Sequence, residues 1–152
     1  MDGHVRNSVW EARERGVIFD VGFGTVSFSY RVAEAAIEQG FLPDTISSDL
    51  HSRHIGRIPQ HDLSLVLSTV IAAGMTEPEA FFAVTRRPAE ILGLAGLVGD
   101  LEPGMIADLT VLERSEERVE LGDGEGCIRE GHLYFVRAVY QSGVRVEEPP
   151  AT

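Results

Sequence analysis

The stretch GVIFDVGFGTVSFSYRVAEAAIEQGFLPDTISSDL (residues 16–50) decides how the chain is organised. Its first part, VIFDV (17–21), has the β-branched and aromatic composition of a strand, and Gly16 and Gly22 punctuate its ends. Phe28, Val32, Ala36 and Ile37 then share one face at helical spacing, and Gly40 stands where a helix over 28–39 takes its C-terminal cap. Thr25 and Ser27 are placed to cap the start of that helix. DTISSDL (44–50), preceded by Pro43, reads as a second strand. Strand, helix and strand within about 35 residues make a βαβ unit, whose crossover forces the two strands to run parallel.

Downstream, a loop rich in histidine and arginine, HSRHIGRIPQH (51–61), leads to Asp62, an N-cap for the next helix. Leu63, Val66, Leu67, Val70 and Ile71 repeat as a buried stripe that ends at Gly74. Thr76 and Glu79 form a capping-box pair, with Pro78 in the first turn. That helix turns Ala80, Phe81 and Val84 inward and breaks before Pro88, which starts a last turn, PAEIL, capped by Gly93. From residue 97 the pattern changes. A Pro-Gly turn at 103–104 precedes a strand over 107–112, and RVEL, CIRE, HLYFVRAVY and VRVEE follow between GDGEG and SG turns, a β region of four or five short strands. The chain thus divides into an α/β part, about 15–95, and a β part, about 97–147.

Composition narrows the function. At 152 residues with 43% hydrophobic and 24% charged residues, the chain is of ordinary globular type. No apolar run reaches the roughly 18 residues of a spanning helix, and the polar first residues lack the apolar centre of a signal peptide, which predicts a cytoplasmic protein that does not engage membranes. A net charge of −11 argues against nucleic acid, whose phosphates require a basic surface. The single cysteine, Cys127, excludes an intrachain disulfide and a thiolate cluster. All 13 basic residues are arginine. A Schiff-base lysine, a phosphate-loop lysine and a carboxylated-lysine metal bridge are therefore all outside this chain's means.

ISSDLHSRH (46–54) is the densest group of reactive side chains. Asp49 lies at the C-terminal end of the second strand, where parallel α/β folds place their sites. A carboxylate there can bind a metal and hold or deprotonate a water, or it can cap the loop that follows. His51 and His54, at i and i+3, are of ligand type but lack a defined zinc spacing, and a solvated or hydrogen-bonded role is open to them and to His61. Gly22-Phe23-Gly24-Thr25 is a weak phosphate-turn pattern, and tight backbone geometry explains its glycines equally. Arg86 and Arg87, at a helix end, suit the helix dipole.

Three segments, RGVIFDVGFGTVSFSYRVAEAAIEQGFLPDTISSDLHSR, VTRRPAEILGL and VGDLEPGMIADLTVLE, together resemble the C-terminal part of the amidohydrolase superfamily, in its deacetylase or dihydroorotase-like group. The resemblance runs over nearly all of residues 3–113. It implies an α/β fold in which 1–96 is a segment of a (β/α)8 barrel and 97–152 supplies strands of a small β-sandwich domain built from both chain ends. It also implies a divalent metal, zinc, that activates water against a small-molecule amide or ester. In the family the metals are held by a His-x-His pair, a carboxylated lysine, two further histidines and one aspartate. The aspartate falls on Asp49, implied as metal ligand and catalytic proton shuttle; His51 and the glycines Gly22 and Gly24 are implied to support the ligands or to face the substrate.

Departures from the family pattern are equally specific. Where its members read GHG, this chain reads Gly22-Phe23-Gly24, so a phenyl ring that cannot donate to a metal takes a histidine's position. There is no His-x-His motif and no lysine. A closed barrel takes about 250 residues. The expectation is a C-terminal fragment, from a truncated gene, a split gene or a late start at Met1, inactive alone, whose open strand edge pairs with a chain supplying the missing barrel half or with a second copy. A non-catalytic structural subunit is the alternative. A self-sufficient small protein with a mononuclear site of Asp49, His51 and His54 is a third reading, against which the missing ligands count.

Overall fold

The computed structural model describes residues 3–23, 27–56, 58 and 60–147. In chain order these form α1 (Asn7–Glu14), β1 (Asp20–Gly22), α2 (Tyr30–Glu38), β2 (Thr45–Ser47), a 3-10 turn (Ser52–His54), α3 (Leu63–Ala72), α4 (Glu77–Val84), α5 (Arg86–Ile91), β3 (Leu109–Gly122), β4 (Ile128–Gln141) and β5 (Val144–Arg145). None of these helices is long and apolar enough to cross a membrane.

β1 and β2 pair in parallel, Asp20 opposite Thr45, Val21 opposite Ile46 and Gly22 opposite Ser47, so the βαβ unit is as expected but its strands are shorter. Upstream, the carbonyl of Phe19 accepts from the N–H groups of Asp44 and Thr45 at 2.8 and 3.2 Å and prolongs the pairing slightly. Downstream it stops where Asp49 turns into the left-handed region at φ 48°, a conformation no strand accommodates.

Helix α1, which the polar N-terminal segment did not announce, is held by side chains. Trp10 meets the Phe41 ring edge-on at 4.9 Å, and the Arg13 guanidinium lies 3.9 Å over the same ring. Arg13 and Arg87 both pair with Asp44, at 3.3 and 3.2 Å, and Asp44 also accepts the Phe19 N–H at 2.9 Å. Burial pushes the Asp44 carboxyl up, but the Phe19 N–H and the two guanidinium groups outweigh it and hold the group below the ordinary carboxylate value. Arg86 and Arg87 open α5 rather than close a helix, so the dipole reading is replaced by ion pairing: both reach Glu90 at 3.3 Å, and Arg86 also reaches Asp100 at 3.5 Å. The break falls at Thr85, three residues earlier than Pro88, which sits inside the first turn of α5, where a missing N–H costs nothing.

The β region has three strands in place of four or five. β3 and β4, each of 14 residues, form one long antiparallel hairpin, and β5 adds to β4. Register shifts at Val111/Leu112 and between Arg114 and Arg118 interrupt the alternation, which makes single strands read as fragments. The hairpin lies across α3. At Gly131 of β4 an added Cβ would stand 2.9 Å from Leu121 Cδ1 and 3.0 Å from Ala72 Cβ, so any side chain there would make Leu121 and Ala72 give way. Between them, Phe28, Tyr30, Ile46, Val66, Leu67, Val70, Met75 and Leu121 join in one core.

The hairpin turn also caps α2. Ser29, at the N-cap, makes no side-chain capping bond; the Tyr30 N–H is received instead by Asp123 Oδ2 at 2.9 Å. Thr25 lies outside the described residues, and the cap expected from it or Ser27 is thus supplied from 93 residues away. Asp123 Oδ1 meanwhile accepts from Glu125 and Cys127 N–H at 2.9 and 2.7 Å. Arg129 pairs with Glu34, 2.8 Å between Nη2 and Oε2, and its guanidinium lies 5.2 Å over the Tyr30 ring. Burial and the nearby Asp123 charge push the Tyr30 hydroxyl up to about 12, with Arg129 opposing them.

Burial raises the Asp123 carboxyl pKa, and the N–H groups of Tyr30, Cys127, Glu125 and Gly126 more than reverse this, leaving it below the ordinary value. A carboxyl whose folded pKa is depressed contributes stability above its unfolded pKa of about 3.9 and loses it as pH falls through the folded value. Asp123→Ala is expected to lower the unfolding free energy in urea by about 1–2 kcal/mol at neutral pH. The gap between variant and parent should shrink below about pH 4.

Candidate functional site

The C-terminal tips of β1 and β2 form the mouth to which the sequence pointed, and the residues around it are set by local chemistry. Asp20 accepts from Thr45 Oγ1 at 2.6 Å and from Ser47 Oγ, tying the two strands side by side. At Gly22, the last residue of β1, an added Cβ would lie 3.2 Å from Asp49 Cβ and 3.4 Å from Ser47 Oγ. The absence of a side chain at 22 lets the Asp49 side chain lie against the tip of β1. Gly24 lies outside the described residues.

Asp49 is 37% exposed and its Oδ1 lies 3.0 Å from His51 Nε2, while His51 is 52% exposed. The two make a carboxylate–imidazole pair open to solvent, able to take up and pass on a proton. Phe23 does not face open space. Its ring packs on Phe28 at 5.5 Å and stacks on His61 at 5.7 Å and 23°. His61 stacks in turn on His54 at 3.9 Å and 28°, and His54 lies 5.5 Å from the His51 ring. A row of rings therefore runs from Phe28 beneath the mouth to His51 at the surface.

His51 and His54 do come together, as their i, i+3 spacing allows, but not as a ligand pair. His54 is 1% exposed; its Nδ1 accepts the His51 N–H at 3.2 Å and its Nε2 lies 3.3 Å from Arg53 Nε. Among the described residues no group of three or more histidine, cysteine or acidic side chains is placed to hold a metal ion. Among the described residues the available donors do not fit the divalent metal that the resemblance implies, and Asp49, His51 and His54 are not placed as a mononuclear site. Of the two roles open to it, His61, 6% exposed, takes the hydrogen-bonded one: its Nε2 reaches the Ser48 carbonyl at 2.9 Å. Its one sequence signal was its place directly before the Asp62 cap of α3.

Beside the mouth, the helix α2 side of β1 is uncovered. A groove of about 280 Å³ runs between them, lined by Phe19, Val21, Phe28, Val32, Ala36 and Ile37, and Val32 on its rim is 55% exposed. Among the described residues β1 pairs with β2 on one edge only.

No protein-family model matches the chain. It is 36% identical over 125 residues to a deacetylase of Enterococcus faecalis, an alignment that covers 82% of this chain and 34% of that protein. Its fold matches the crystal structure of an adenine deaminase with a TM-score of 0.84 at 32% identity, covering 95% of this chain and 39% of that one. It matches the crystal structure of a dihydroorotase with a TM-score of 0.74 at 32% identity, covering 93% and 39%. By sequence and fold, the chain is a relative of the amidohydrolase superfamily. Relatives there are named deacetylase, adenine deaminase, dihydroorotase and imidazolonepropionase, and the chain spans about a third of the length of the deacetylase it matches.

Gly22→Val is expected to force Asp49 away from the tip of β1 and to cost about 1–3 kcal/mol as an overpacked site. Gly40→Ala, at a helix cap with open space around it, should cost less, about 1 kcal/mol, since only its positive φ is penalised. Urea titrations of both variants check the order.

Proposed function

We propose that this chain is the C-terminal segment of a metal-dependent amidohydrolase that hydrolyses the amide or ester bond of a small molecule in the cytoplasm with a metal-activated water. In this reading residues 1–96 are units of a (β/α)8 barrel and 97–152 are strands of a small β-sandwich domain. The observation that carries it is Asp49, solvent-open at the C-terminal tip of a parallel strand pair whose other edge and flanking groove are uncovered among the described residues. Parallel strands otherwise occur covered on both faces within larger sheets and barrels. The chain's own chemical contribution is the Asp49 carboxylate, held by His51 and able to move a proton between water and leaving group. The divalent metal, zinc, would be held mainly by residues that this chain does not contain, and alone it is inactive. Its partner is a chain supplying the remaining barrel, or a second copy.

A second reading, a non-catalytic subunit that pairs with an active barrel chain, is favoured by the Phe23 ring, which fills the strand tip and stacks on His61. One experiment addresses both. The 152-residue chain is assayed for zinc content and for hydrolysis of N-acetylated amino acids, alone and fused to the N-terminal two thirds of the Enterococcus faecalis deacetylase. The expected outcome is no stoichiometric zinc and no turnover alone, with activity in the fusion that Asp49→Asn lowers by about 100-fold or more. Zinc and turnover by the isolated chain overturn the first reading; a folded fusion with zinc but no Asp49-dependent turnover supports the second.

A further inference from the structure

His61 does more than fill space beneath the mouth, and we infer that it is a positioning residue which fixes the backbone at Asp49. The inference rests on reading Asp49 as the functional carboxylate. A carbonyl oxygen only accepts hydrogen bonds, so the 2.9 Å contact between His61 Nε2 and the Ser48 carbonyl makes Nε2 the donor and places the ring proton there. That carbonyl belongs to the planar peptide group linking Ser48 to Asp49, whose nitrogen is one end of the Asp49 φ torsion. Pinning the carbonyl therefore sets one side of that torsion. Asp49 occupies φ 48°, which a non-glycine residue keeps only where its surroundings hold it, though aspartate tolerates it better than most.

The His61 ring is itself held. It lies between His54 at 3.9 Å and Phe23 at 5.7 Å, both nearly parallel to it. Its backbone precedes Asp62, whose Oδ1 accepts from Leu65 N–H at 3.0 Å and Ser64 Oγ at 2.6 Å and so locks the start of α3. The order of support runs from the rigid helix start through His61 to the Ser48 carbonyl, and from there to Asp49. His51 holds the carboxylate at the other end, at 3.0 Å. Two imidazoles thus orient one aspartate, His51 through its side chain and His61 through the peptide group before it.

The test needs neither metal nor substrate, so it stands or falls separately from the hydrolase reading. Long-range 1H–15N correlation on the 15N-labelled chain reads the His61 tautomer, and the Asp49 Cα and Cβ shifts read its backbone region. The expected results are the Nε2–H tautomer in the parent, loss of the left-handed Asp49 signature in His61→Phe, which keeps the stacking but has no donor, and its return in His61→Gln, whose amide can donate to the carbonyl. An Nδ1–H tautomer in the parent overturns the inference, as does a folded His61→Phe chain in which Asp49 stays left-handed. If His61→Phe does not fold, the parent tautomer and the His61→Gln shifts decide the question.

Discussion

The whole structure is arranged around helix α3, which has no solvent face over its middle. Val66, Leu67, Ser68, Thr69 and Val70 are all buried, and five consecutive buried positions cannot be covered from one side of a helix. β2, α4 and β4 all pack against it. Burying Val66, Leu67 and Val70 is worth about 1.5–3 kcal/mol each, a sizeable share of the 5–15 kcal/mol by which whole domains are stable. The two polar residues in the run are accommodated because Ser68 and Thr69 return their hydroxyls to the carbonyls of Ser64 and Leu65, at 2.8 and 2.9 Å. Ser68 Oγ then accepts the Tyr134 N–H at 3.2 Å and binds the hairpin to the helix.

Around that core, polar contacts fix orientation more than they add stability. Asp123, Arg129 and Glu34 tie the hairpin turn to the start of α2, and Asp44 gathers α1, the segment before β1 and α5 at the opposite end. Both clusters bracket β1, so the strand tip that carries Gly22 and Phe23 is located from two sides. Chemistry at the mouth is then narrowly placed: Asp49 lies against a glycine, is paired with His51, and follows a carbonyl held by His61.

Legibility in the sequence followed the range of the interactions. The Asp62 N-cap, the Thr76–Glu79 capping box and the Gly74 and Gly93 ends were readable because each depends on neighbours within a few residues, and the βαβ unit because each of its elements carries its own local pattern. Helix α1 was not, since its one aromatic residue, Trp10, finds its partner at Phe41. The long hairpin was read as fragments because solvent-facing charges such as Glu116 and Glu117 sit where its register shifts. Asp49 was visible as a strand-tip carboxylate, His51 as its neighbour and His61 as a loop histidine open to hydrogen bonding; the partner of His61 was not, because nothing local marks a ring that turns back 13 residues to a carbonyl.

By itself, the sequence determined most of the element types, the parallel pair and the chemical stock of the site: one strand-tip aspartate, no lysine, and a phenylalanine between Gly22 and Gly24. These are consequences of composition and short-range periodicity, which act before any long contact forms. Only the tertiary structure decided that a hairpin turn caps α2, that Phe23 closes into a stack with His61, and that His51 and His54 meet without forming a ligand set. Those outcomes depend on groups 3 to 93 residues apart being carried to hydrogen-bonding or ring-stacking distance. The burial of α3 against β2, α4 and β4, in a core shared with Phe28 and Tyr30, brings those segments within reach of one another.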